Sequence, residues 1–152
     1  MKQITIDSLV SPEFVGYGDR GAIWHDGQLI WHDSLSAAPN PYQPHTGKPW
    51  ALAYGWIAPG RYKWRYYTGS EKHSPCLLIN EGGSVPTRNP NENHSSAFEA
   101  TEVLIHCGET EDWRGSAACC TVAPSLWPSF IACFGPTDSG EIAIIDKRGA
   151  IQ

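Results

Sequence analysis

Residues 21–33 read G-A-I-W-H-D-G-Q-L-I-W-H-D, and this stretch decides the fold class. Two β-prone runs flank Asp26-Gly27, and an Asp-Gly pair is the favoured two-residue hairpin turn because both positions accept positive φ. A hairpin is expected, with His25 opposite Gln28, Trp24 opposite Leu29 and Ala22 opposite Trp31. That register puts Trp24, Leu29 and Trp31 on one face, which is expected to be core. The echo of Trp24-His25-Asp26 in Trp31-His32-Asp33 extends no further, so no repeat architecture is read.

Outward from the hairpin the same signals recur. Pro59-Gly60 makes a turn, and residues 61–67 alternate as a strand with Tyr62, Trp64 and Tyr66 on one side, where core packing is the commoner use of aromatic rings. Residues 76–80 (C-L-L-I-N) and 102–106 (E-V-L-I-H) are short apolar runs of strand length bounded by turn-forming residues, and read as buried central strands. Residues 141–146 supply a last strand. Residues 34–49 lack an apolar period and read as a long irregular connection, and residues 81–96 read as a polar loop carrying Arg88 and His94. One helix is expected after Ser125, where Leu126, Trp127, Phe130, Ile131 and Phe134 recur at helical spacing. Pro128 falls in its tolerated first turn, and Gly135 is placed to close its C-terminus. The expected fold is mainly β, with one short helix packed on the sheet.

Composition agrees. The 152 residues include 15 Gly, 12 Pro, 7 Trp and 6 Tyr, which suits short aromatic-rich strands joined by many turns in a single domain spanning residues 1–152. A net charge of −5 offers no basic stripe to a phosphate backbone, so nucleic acid is not an expected partner. No run approaches the length of a membrane span, and residues 1–10 lack the basic start and apolar centre of a signal peptide. The five cysteines, Cys76, Cys107, Cys119, Cys120 and Cys133, are odd in number, so at least one thiol is free. His106 abuts Cys107 and Cys119 abuts Cys120, and adjacent side chains point apart on an extended backbone. No metal or organic cofactor is expected.

Residues 105–122, I-H-C-G-E-T-E-D-W-R-G-S-A-A-C-C-T-V, carry the chemistry. A His at the end of a buried strand and a Cys on a glycine-led turn are what cysteine nucleophilic catalysis needs: the sulfur attacks, and an imidazole takes and later returns the proton. Backbone N–H groups of the turn are placed to meet an oxyanion. The bland alternatives are a cysteine used as a small core hydrophobe and a hydrogen-bonded core histidine. Only one of Cys119 and Cys120 can face His106.

The order His106-x-Gly108, loop, Gly115-Ser116-x-x-Cys119 resembles the catalytic motif of the L,D-transpeptidases, H-x-G followed by S-x-G-C. Upstream, the Asp26-Gly27 hairpin and Ala58-Pro59-Gly60-Arg61-Tyr62 resemble that family's opening hairpin and its P-x-G-x-Y/F strand, so the likeness spans about residues 21–134. The resemblance implies a sandwich-like β fold and acyl transfer on peptidoglycan stem peptides, with Cys119 as nucleophile, His106 as base and Ser116 ordering the turn. It selects Cys119 over Cys120, and implies that Gly108 and Gly115 line the substrate site. Ala118 stands where the family has Gly, Ala117 where it usually has His, and Thr121 where many members have Arg, which marks a divergent member. Carboxylate capture is then expected from Arg88 or Arg114, whose guanidinium fork suits it, and His94 is a further candidate to line the site. An imidazolium beside Cys119 is expected to make its thiol more acidic than a free cysteine. A cross-linking transpeptidase, an L,D-carboxypeptidase or lytic endopeptidase, and an inactive wall-binding module all remain open. The expected location is the cell envelope, in periplasm or wall, reached by a non-standard route or by a chain that begins after its signal.

Overall fold

The computed structural model describes residues 1–8, 17–37, 44–45, 48–49, 56–88, 99–111 and 119–146. The strands run β1 (Lys2–Ser8), β2 (Asp19–His25), β3 (Gln28–Leu35), β4 (Pro44–His45), β5 (Lys48–Pro49), β6 (Trp56–Ile57), β7 (Gly60–Tyr67), β8 (Cys76–Ile79), β9 (Val85–Arg88), β10 (Glu99–Ala100), β11 (Leu104–Cys107), β12 (Cys120–Val122) and β13 (Ser139–Asp146). One α-helix, α1 (Trp127–Ile131), lies between β12 and β13 among the described residues. The mainly β class with one short helix is therefore the fold observed. Among the described residues no helix is long and apolar enough to cross a membrane.

Eight strands form one sheet in the order β12-β11-β8-β7-β13-β1-β2-β3. Its two ends approach each other, because Ser36, just past β3, pairs antiparallel with Thr121 of β12 through two N–H to carbonyl bonds of 2.8 Å. The sheet thus curls to near closure, and the bridge pairs backbone groups of Thr121 that an open edge would leave unpaired. Two neighbouring pairs, β1 with β13 and β11 with β12, are parallel, and the rest of the sheet is antiparallel. The concave side holds the main core, including Ile4, Ile6, Ile23, Leu35, Trp64, Leu77, Ile79, Ile105, Cys120, Val122, Ile142 and Ile144. The helix closes it: Phe130 stands edge-on to Trp31 at 5.1 Å between ring centroids, and Phe134 edge-on to Trp64 at 5.0 Å. Tyr62 and Trp64 are buried and Tyr66 packs beside them, so the aromatic side of β7 is core.

Four local expectations need correction. The hairpin turns at Asp26-Gly27, with φ of 50° and 84°, and keeps the pairs His25 with Gln28 and Trp24 with Leu29. Beyond them the register shifts, so that Ile23, not Ala22, faces Trp31. The extra residue is a bulge, which re-aims the side chains on either side of it. Trp31 and Ile23 turn into the core, whereas Leu29 and Ile30 are 51% and 41% exposed. Within the two segments read as loops, β4 pairs with β5, and β9 pairs with β6 and β10 as a separate three-stranded sheet. Gly135 does not cap α1, which ends at Ile131; its N–H instead donates to Asp138 Oδ2 at 2.7 Å in the next turn.

Candidate active site

The register of β8, β11 and β12 sorts the chemistry by face. Ile105 lies opposite Cys120, and both sit in the main core, so side chains one residue away point to the convex face. Leu104 and His106 of β11 and Thr121 of β12 share that face. Cys119 joins them: it packs on the satellite cluster of Cys76, Leu78 and Leu104, and its Sγ accepts the Leu104 N–H at 3.4 Å. The expectation that only one of the adjacent cysteines shares the side of His106 is met, with Cys120 fully buried in the core. His106 pairs in register with Thr121, so Cys119 lies one diagonal step from it along the parallel strands.

His106 is 5% exposed, and its Nδ1 lies 2.8 Å from the Cys107 carbonyl oxygen. A carbonyl only accepts, so Nδ1 carries the proton and Nε2 keeps a free electron pair. Burial pulls the imidazole pKa down to about 4, with the nearby His73 adding to the shift against the favourable Cys107 hydrogen bond. Near neutral pH His106 is an uncharged base.

Burial also pushes the Cys119 thiol above the ordinary cysteine range, an effect the Leu104 N–H bond only partly offsets. This corrects the expectation of an acidic thiol. An imidazolium is absent because both groups are desolvated, and desolvation disfavours both charged forms. The resting pair is a neutral thiol and a neutral imidazole. Cys76, on the strand flanking β11, is raised to about 11 for the same reason, with Cys119 adding to it.

Gly108 closes the strand. Its N–H donates to the Val122 carbonyl at 2.8 Å, and a Cβ built there would stand 2.1 Å from the Tyr17 hydroxyl. The glycine of H-x-G thus makes room for Tyr17, whose hydroxyl donates to the Thr110 carbonyl at 3.1 Å and also bonds the Thr121 side chain. Glu111 ties the following turn to the helix approach: one carboxylate oxygen accepts the Ser125 N–H at 2.6 Å and the other its hydroxyl at 2.9 Å.

A cleft of about 380 Å³ opens at the end of β11, lined by Lys72, His73, Ser74, Pro75, Cys107, Gly108, Glu109 and Trp127. Its wall residue His73 stacks on His106, with centroids 3.7 Å apart and planes 20° from parallel. The structure therefore gathers His106, Cys119 and Gly108 in one region. Arg114, Gly115, Ser116 and His94 lie outside the described residues. Arg88 ends β9 opposite Trp56 in the three-stranded sheet, and its side chain is likewise outside them. Sequence reasoning missed His73 and Tyr17. The available signal for His73 was weak, a lone histidine in the polar Glu71-Lys72-His73-Ser74-Pro75 turn. No family model, curated protein or solved structure matches the chain.

Proposed function

We propose that the chain is a cysteine-dependent acyl-transfer enzyme of L,D-transpeptidase type acting on peptidoglycan stem peptides in the cell envelope. One observation carries the reading: His106, with Nδ1 tied to the Cys107 carbonyl and Nε2 free, shares a face with Cys119 while Cys120 is turned into the core. A base oriented by a third group, one diagonal step along the sheet from a sulfur on the same face, supports a nucleophile and general-base pair that closes to hydrogen-bond reach when substrate binds. Because both groups rest neutral, the thiol proton passes to Nε2 as sulfur attacks the substrate carbonyl, rather than from a standing ion pair. The C–S bond forms, the tetrahedral oxyanion collapses, and the leaving amine takes the proton from His106. An amine or water then resolves the thioester. Transpeptidase and carboxypeptidase or endopeptidase outcomes differ only in that last acceptor. The stem-peptide substrate and the roles of Ser116, Gly115, Arg114, Arg88 and His94 rest on the motif likeness.

Intact-mass measurement after treatment with a carbapenem-type β-lactam tests the reading. The parent and Cys120→Ala should each gain one acyl adduct, and Cys119→Ala none. An unmodified parent, or an adduct that survives Cys119→Ala, overturns it; the first outcome favours a wall-binding module, in keeping with the unactivated resting thiol.

A further inference from the structure

We propose that His73 is a positioning residue for His106: its ring, stacked flat on the imidazole at the cleft wall, holds that imidazole in the plane in which Nδ1 meets the Cys107 carbonyl and Nε2 is left to take a proton. The inference rests on His106 being the base of the proposed reaction. A single hydrogen bond at Nδ1 fixes one point of the ring but leaves it free to swing about the Cβ–Cγ bond, a soft torsion. A second ring at 3.7 Å and 20° is in van der Waals contact over its whole face and removes that freedom.

The turn that presents His73 is itself braced. The His73 backbone N–H donates to Ser70 Oγ at 3.1 Å, and the Ser74 hydroxyl donates to the Ser70 carbonyl. His73 also opposes protonation of His106, adding to the effect of burial in keeping the base uncharged. Burial and Lys72 draw the His73 pKa down, and Glu109 opposes them. Among the described residues those are the charged groups about the pair: Lys72 beside His73, and Glu109 in the wall of the same cleft. On the His106 side, the thiols of Cys76 and Cys119 share its face, and the Tyr17 hydroxyl reaches Thr121 beside it.

The test is imidazole NMR of 15N-histidine protein, following tautomer and titration of His106 in the parent, His73→Phe and His73→Ala, beside pH profiles of thiol acylation by a β-lactam. The parent and His73→Phe, which keeps a flat face, should show one Nδ1–H tautomer titrating far below free imidazole. His73→Ala should mix tautomers and raise the midpoint by about one pH unit or more, with the acid limb of the acylation profile moving by the same amount. Should His73→Ala fail to fold, His73→Leu, which fills the space without a flat face, carries the same expectation. The proposal is overturned if the Ala or Leu variant keeps the parent tautomer and midpoint, or if His73→Phe shifts them as far. A parent that is never acylated refutes the enzyme reading instead, and the NMR comparison still decides what His73 does.

Discussion

Moving from pH 7.5 to 4.5 should cost this protein stability, chiefly through His106. Its imidazole titrates near 6.5 in an unfolded chain and near 4 in the fold, mainly because it is buried. The sign follows from the depressed value. As pH falls below about 6.5 the unfolded state takes up a proton that the folded state refuses, so stability is complete above that pH and declines toward pH 4. About two pH units of this window are crossed by pH 4.5, and at 1.36 kcal/mol per unit the loss is about 2.5 kcal/mol. His106→Gln abolishes the titration while keeping an amide N–H for the Cys107 carbonyl. Urea unfolding of both proteins at both pH values isolates the effect, because the lowered pKa values of Asp26, Asp138 and His73 are present in each. With a urea slope of about 1.5 kcal/mol per molar, the parent's midpoint should fall by roughly 1.7 M more than the variant's. Equal losses, within about 0.5 kcal/mol, would refute the assignment of His106 as a buried neutral base.

Phe130, fully buried against Trp31, Trp127 and Phe134, seals the open side of the curled sheet. Phe130→Ala should cost about 3 to 5 kcal/mol in chemical denaturation, and a loss under about 1.5 would mean that α1 is not part of the core. Two glycines separate clash from strain. A Cβ at Gly140 would stand 2.0 Å from the Lys2 carbonyl oxygen across the parallel β1–β13 pair, whereas one at Gly27 meets nothing but has φ of 84°. Gly140→Ala should therefore cost well over 2 kcal/mol and Gly27→Ala about 1, by thermal unfolding; the reverse order would contradict the β1–β13 register. On the substrate side, loss of the true carboxylate clamp among Arg88 and Arg114 should lower kcat/KM roughly ten- to a hundredfold, with Lys only partly restoring it. Values within about twofold for both Ala variants and the double variant would dismiss arginine recognition of a stem carboxylate.

Much of the fold is legible locally, because strands, turns and the helix are set by short-range patterns. Asp26-Gly27 makes its turn, the apolar runs at Leu77 and Ile105 become buried strands, and Leu126 to Phe134 lays an apolar face on the sheet. The split between Cys119 and Cys120 is equally local, since alternation along an extended chain depends on nothing distant. What local pattern does not contain is pairing between remote segments. The bulge at Ile30 keeps Trp31 in the core while Leu29, two residues before it, is left exposed, without any glycine or proline to announce it. The parallel union of β1 with β13, and the Ser36–Thr121 bridge that brings the sheet to near closure, join residues more than eighty positions apart. The site follows the same division. The sequence brings forward His106, Gly108 and Cys119 as candidates, through residue type and through the resemblance to the H-x-G and cysteine motif. Only the tertiary structure sets their state, since protonation depends on how much water and which neighbours the fold leaves around a group. Burial makes the thiol and imidazole neutral, the Cys107 carbonyl chooses the tautomer, and His73, thirty-three residues upstream in a turn of no evident pattern, arrives on the face of His106.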